Sequence, residues 1–417
     1  MTTTGSYHTS HSLIPAISIL GILGVISAYT FHLIGRLTAI VSKESGDDGH
    51  HISSIGQLWD FEVGHSTSWL VSVAVMLTCF GTCLAYSIIL GDTFQSLAKT
   101  AGFTGIFASR RFNVAAIALL GVYPLSCLKS LAALAPISLA GVVGILVTCL
   151  VMTIRSLPGG AYSSAAAAAT ATTTNYLASL PTELQPSFGK TGLRGAKSLL
   201  VHSSMTATAF LVHMASPEFF QTLKDNTLSR FAKLSLFGFG GTALISVFMM
   251  SIGFLTFGGA CKGMILNNYS TLDAGATLCR LLMGVSLLGS YAFLSNAMKK
   301  AYYQIFYKKG KDITDKIDSR TTRLLVGMLT ALALLIHDAG FVVSVTGAVL
   351  GSALIYMIPS FIYLKSTKRR MDDGTLPITK ALKIERWWNM SLIGLGAFLG
   401  LAGASMSIVN SFFPHLL

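Results

Sequence analysis

Long stretches of this chain contain no acidic or basic side chain, and that constrains its fold more than any other feature. No Asp, Glu, Lys or Arg falls between Glu62 and Asp92, between Lys129 and Arg155, or between Lys197 and Glu218. The same holds from Leu234 to Cys261, Leu281 to Met298, Ala339 to Leu364 and Trp387 to Leu417. A helix rises 1.5 Å per residue, so about 18–20 such residues cross a hydrocarbon core of ~30 Å. The run Leu13 to Gly35 also qualifies. Two shorter candidates follow the same pattern: Phe112 to Leu128, broken by Pro124, and Arg323 to His337. Strands of a membrane barrel would alternate apolar with polar residues, and these runs do not. Only 11% of residues are charged, against about 25% in a soluble domain, too few to cover a water-facing surface of this size. The expected class is therefore an all-α polytopic membrane protein of about ten transmembrane helices. The spans lie near residues 13–35, 68–91, 112–128, 130–154, 198–220, 234–259, 278–298, 321–337, 340–364 and 389–412, after a short polar amino terminus, 1–12.

The formal net charge of +13 invites a nucleic-acid reading, which the placement of the charges rejects. Of 30 Lys and Arg residues, eight sit between Lys299 and Arg323 and seven between Lys365 and Arg386. Both groups join apolar spans, as cytoplasmic loops do under the positive-inside rule. With these two loops inside, alternation puts Arg36–Ser66, the link at Lys129 and the segment Lys224–Lys233 inside as well. Lys99–Arg111, Arg155–Lys197 and the loop at Lys262 fall outside. This arrangement gives 21 basic residues inside and eight outside, with Arg280 at a helix end. It also puts both chain ends outside, an unusual topology that suggests a missing helix ahead of Leu13. Asn268-Tyr-Ser270 is then a glycosylation sequon on the outer side, whereas Asn389-Met-Ser391 lies inside and is expected to be silent.

Within the long outer loop, 158–197, Ser163 to Thr174 holds only Ser, Ala and Thr and reads as disordered linker. The basic inner loop Lys308 to Arg320 is expected to be mobile. Glu218 and Arg280, at span ends, read as snorkelling side chains. Cys79 and Cys83 share a helix face, but no His or further Cys accompanies them as a metal site requires, so they read as packing residues. Gly347, Gly351 and Ser352 read as a close helix contact, and His337-Asp338 as a solvated turn. No HExxH, GxSxG or phosphate loop is present, so an enzyme is not expected.

Polar groups inside spans are costly, so they mark candidate sites. Leu199 to Pro217 is the most interrupted run, carrying His202, Ser203, Ser204, Thr206, Thr208, His213 and Ser216. A helix this polar in lipid either lines a cavity or is locally unwound. For any single residue, a hydroxyl bonding back to its own helix is the competing reading. On Met76 to Gly91, Cys83 and Tyr86 lie on a small-residue face. Gly284 to Asn296 offers Ser286 and Ser290, whose oxygens could coordinate Na⁺.

Several stretches resemble the amino acid/auxin permease family. They are Phe210-Leu-Val-His213 through Glu218-Phe-Phe and Leu223-Lys-Asp225, followed by Ile252-Gly-Phe-Leu-Thr-Phe-Gly258. Phe80-Gly81 to Tyr86, Pro124-Leu125 and Gly347-Ala348 with Pro359 are similar to further helices of the family, in the right order. Ile26-Ser-Ala-Tyr29-Thr30 resembles the family's second helix, with no counterpart of the first before it. The resemblance implies the inverted-repeat amino-acid-permease (APC/LeuT-like) fold lacking its first helix, and a secondary active transporter of amino acids. It implies a substrate site at Thr206, Thr208, Phe210 and His213 with Tyr86 and Cys83, and ion coupling at Ser290 and Ser286. Ala292 stands where the family has a proline, so Na⁺ and H⁺ both remain open as coupling ion. The expected partners are an amino acid substrate and the lipid bilayer, of either the plasma membrane or a vacuolar or lysosomal membrane. The alternative is a non-transporting sensor, scaffold or degenerate relative.

Overall fold

The computed structural model describes residues 13–44, 52–128, 131–157, 162, 193–262, 264–307 and 312–412. The polar amino terminus, the Ser/Ala/Thr stretch and residues 308–311 lie outside this set. Among the described residues all regular structure is helical. The helices are α1 (Leu13–Glu44), α2 (Ile55–Glu62), α3 (Ser68–Thr100), α4 (Arg110–Ile117), α5 (Tyr123–Ser126), α6 (Leu131–Ser156) and α7 (Leu193–Ala209). They continue as α8 (Ser216–Thr222), α9 (Leu228–Phe257), α10 (Ala274–Phe306), α11 (Asp315–Leu335), α12 (Ala339–Thr346), α13 (Ile358–Asp372) and α14 (Lys380–Phe412).

Among the described residues, eight helical stretches are long and apolar enough to cross a membrane. The two shorter expected spans are also helical, as α4–α5 and α11. The apolar side chains that face outward fit lipid and would be costly in water. Leu139, Val142, Leu146 and Leu150 form a stripe along α6, and Phe237 and Leu401 are about three-quarters exposed. The protein is an integral membrane protein.

Prolines explain where the helices widen. Pro124 and Pro359 have no N–H for the carbonyl four residues earlier and crowd it. Ahead of each, the chain opens into π turns, Ala118–Val122 before Pro124 and Gly347–Gly351 with Ala353–Met357 before Pro359.

The helices group into two bodies. In the first, α3 and α10 pack along their length, with α6 against α10. Contacts at both ends show that α3 and α10 run antiparallel: Ser72 donates to Gln304 at 3.0 Å, and Thr100 to the Thr271 carbonyl at 3.2 Å. In the second, α1 packs on α9, α7 and α8 around an aromatic core. Phe31 stacks on Phe231 at 5.3 Å and leans on Phe239 at 5.3 Å. Gly35 makes the first stack possible, since a β-carbon there would run into the Phe231 ring. α12 touches both bodies, through α3 and α7, and α14 packs on α7, α12 and α13. The pairs α1–α9 and α3–α10 run in opposite senses, as an inverted repeat requires.

The ion pairs gather at two opposite sets of helix ends. On the basic side, Arg369 and Arg370 meet Glu44 and Glu62, Arg36 meets Glu385, Lys299 meets Asp318 and Lys300 meets Glu218. At the opposite helix ends, Arg110 pairs with Asp92 and Arg155 with Asp273. Two expectations are corrected. Arg280 does not snorkel: it is 2% exposed and donates to the carbonyls of Leu266, Tyr269 and Ser270, tying the α9–α10 loop down. The stretch expected to be a mobile loop up to Arg320 contains the start of α11, because the buried Lys299 Nζ draws Asp318 into a 3.1 Å ion pair that Tyr303 supports.

Candidate functional site

The polar run after Leu199 breaks its helix. α7 ends at Ala209, Phe210–Val212 leave the helical path, a short 3-10 turn spans His213–Ala215, and α8 begins at Ser216. Pro217 fits there because the first turn of a helix needs no N–H from it. At the break the helical ladder gives way to shorter bonds, Leu211 N to Thr208 O at 3.2 Å and Val212 N to Phe210 O at 3.1 Å.

The polar side chains of this run divide by face. One set holds the broken helix to the backbone of α1. His202 Nε2 lies 3.2 Å from the Ala16 carbonyl, His213 Nε2 3.0 Å from the Ser27 carbonyl, and Ser216 donates to the Phe31 carbonyl at 2.9 Å. A carbonyl can only accept, so Nε2 carries the proton on both rings. Ser203 and Ser204 bond back to Leu200 O, as isolated hydroxyls in apolar helices do. The opposite face, with Thr208, Leu211 and Val212, looks into a cavity of about 320 Å³. That is near the lower end of the usual range for small-molecule sites, about 300–1,000 Å³.

The other walls come from the first body. α3 contributes Thr82 and Tyr86, α6 Ser138, and α10 Gly289, Ser290, Phe293 and Leu294, with Phe219 of α8 also in the lining. The lining has five hydroxyl groups and no formal charge. Thr208 also donates 3.1 Å to the Val343 carbonyl, which joins the break to α12. A β-carbon on Gly347 would collide with Thr208 and the Ser204 carbonyl, so this glycine permits the approach.

Of the residues selected from sequence, the structure gathers Tyr86, Thr208 and Ser290 around this cavity. It directs the others elsewhere. Cys83 is fully buried in the α3 core, and Thr206 is buried with its hydroxyl 3.5 Å from His202. Phe210 and His213 belong to the aromatic core with Phe239. Ser286 abuts Gly141 between α6 and α10. The Asn268 side chain braces its own loop, donating to Ala260 O and accepting from Lys262 N, each at 2.9 Å. The sequon residue Asn389, on the other side, is buried and donates to Tyr29 and the Glu385 carbonyl. Among the described residues there is no cluster of three or more His, Cys, Asp or Glu able to hold a metal.

A broken helix at the wall of an uncharged cavity between two helical bodies fits a carrier of small polar molecules. The profile of the family described as "Transmembrane amino acid transporter protein" matches residues 12–412. The chain belongs to this family. Among its relatives, human "Putative sodium-coupled neutral amino acid transporter 11" is 23% identical over 345 residues, covering 82% of this chain and 77% of that protein. "Sodium-coupled neutral amino acid transporter 7" of Mus musculus is 24% identical over 375 residues, 85% of this chain and 73% of that protein. Membership accounts for the recognisable order of motifs. The cavity adds Thr82, Ser138, Phe219 and Phe293, which the sequence reading did not select. For α3 and α10 a signal was available: Thr82 and Tyr86 are four residues apart, as are Gly289 and Phe293, so each pair shares a helix face.

Proposed function

We propose that the protein is a secondary active transporter of neutral amino acids that works by alternating access and is coupled to Na⁺. The observation that carries this reading is the break Phe210–Val212, which faces a cavity lined by hydroxyls and apolar groups alone. A zwitterionic head group is neutral overall and can be held by hydroxyls and backbone dipoles. A charged side chain would find no counter-charge there and would bear a heavy desolvation cost.

The carboxyl end of α7 carries the partial negative charge of its last carbonyls, so it favours the ammonium group or a cation. Thr208 and Ser290 offer hard oxygen ligands of the kind Na⁺ prefers, and a bound Na⁺ would offset the substrate carboxylate. The curated relatives described as sodium-coupled support this choice of ion. The cavity lies between the α3–α6–α10 body and the α1–α7–α8–α9 body, so rocking one against the other would expose it to each side in turn.

The test is uptake of labelled neutral amino acids by purified protein in liposomes, with an inward Na⁺ gradient, an inward H⁺ gradient or neither. Uptake that needs the Na⁺ gradient is expected. Uptake that follows the H⁺ gradient alone would replace the ion. If folded protein moves no amino acid under any gradient, the chain acts as a sensor or scaffold instead.

A further inference from the structure

A second, smaller cavity lies on the basic side of the central one, and the same helix faces line both. On α10, Ser290 and Phe293 border the central cavity, while Phe293, Asn296, Lys300 and Gln304 border the second. These residues recur at helical spacing along one stripe, so a single face of α10 runs from the central cavity to the basic side. At 1.5 Å per residue, Ser290 and Lys300 are roughly 15 Å apart along it. α3 does the same, with Thr82 and Tyr86 above and Ser72 and Val75 below.

An aromatic pair lies where the two spaces approach each other: Phe293 borders both cavities and Phe219 borders the central one. Phe219 and Phe293 stack with ring centroids 6.1 Å apart and planes 8° apart. The rings belong to different bodies: Phe219 packs with the aromatic core of α1 and α9, Phe293 with the core of α3 and α10. Directly below, next to Phe219 in sequence and two turns beyond Phe293, Glu218 and Lys300 form a 2.7 Å ion pair, with side chains 23% and 47% exposed. That pair also joins the two bodies. Half-exposed pairs of this kind are weak, which suits a contact that must break at every turnover.

We propose that the Phe219–Phe293 stack is the inner gate of the substrate path and that Glu218–Lys300 is its latch. The inference rests on the transport reading above. Sliding the bodies apart unstacks the rings and separates the charges together. The freed Lys300 ammonium and Glu218 carboxylate then present opposite charges, which match the carboxylate and ammonium of a departing zwitterion.

The test uses the full chain in membrane vesicles with Ser138→Cys as reporter inside the central cavity. A membrane-impermeant methanethiosulfonate reagent is applied from the basic side, and rates are taken relative to the same chain without the reporter. Phe293→Ala is expected to raise the reporter's labelling rate about tenfold, the change that a 1.4 kcal/mol shift toward the open form produces. Glu218→Gln is expected to raise it about two- to fivefold, the range that a partly exposed pair supports. The reversed pair, Glu218→Lys with Lys300→Glu, is expected to return the rate toward that of the parent. Unchanged rates in folded Phe293→Ala and Glu218→Gln would overturn the gate, and a reversed pair no better than Glu218→Gln would overturn the latch. If Phe293→Ala does not fold, Phe293→Leu and the charge variants decide the matter. Labelling needs no substrate, so the two readings can fail separately. A gate response without amino acid uptake removes transport, whereas uptake without a gate response removes the gate.

Discussion

His213 and Thr208 lie five residues apart in one polar run, yet they do different work. His213 is fully buried, its Nε2 on the Ser27 carbonyl and its ring edge-on to Phe31 and Phe239, each at 5.8 Å. Thr208 borders the cavity and makes one bond to α12. His213→Ala should therefore cost about 2–4 kcal/mol through a lost ring and a lost hydrogen bond. It should lower the melting temperature in detergent while leaving the KM of the folded fraction near that of the parent. Thr208→Ala should cost only about 1 kcal/mol and raise the substrate KM. The reverse pattern in paired melting and uptake measurements would exchange their assignments. From the sequence both residues were visible as polar groups in an apolar span. Which face each occupies was not, because the helix breaks between them at Phe210–Val212, and beyond a break the 100° step per residue no longer predicts direction.

Two ion-paired joints at the level of elements differ in burial and so in worth. The segment Arg36–Ser66 read from sequence as an inner loop, but it contains α2. Its start is legible in hindsight: Ser54 accepts from Gln57 N at 3.2 Å and Gln57 Oε1 accepts from Ser53 N at 2.9 Å, a close relative of the capping box. α2 ends at Glu62, whose side chain is fully buried between Arg369, Arg370 and Ser366 of α13. No local pattern could announce that joint, since its partners are some 300 residues apart in the chain. Glu62→Ala leaves the buried Arg370 guanidinium with part of its counter-charge gone and should cost about 3–5 kcal/mol. Lys300→Ala, at the half-exposed pair, should cost less than about 1 kcal/mol. Thermal unfolding of the two variants side by side tests the contrast, and equal losses would mean that the α2–α13 joint is not the stronger of the two.

For the whole molecule, hydropathy carried most of the fold, because lipid imposes its rule on every span alike, and the placement of charge supplies an expected orientation. Neither rule says which helices form a body, and that division places the cavity and its inner partition. The orientation can be tested directly. Lys262 lies in the α9–α10 loop at the helix ends that include Arg155 and Asp273, while Lys380 opens α14 on the side of Arg370 and Glu385. In intact cells, Lys262→Cys should react with an impermeant thiol reagent, and Lys380→Cys only after the membrane is opened. The neighbouring native thiol adds little background, because burial pushes Cys261 up to about 11 and leaves it almost wholly protonated near neutral pH. If Lys380→Cys reacts in intact cells and Lys262→Cys does not, the molecule is inverted. The Phe219–Phe293 partition would then face the exterior and control entry rather than release.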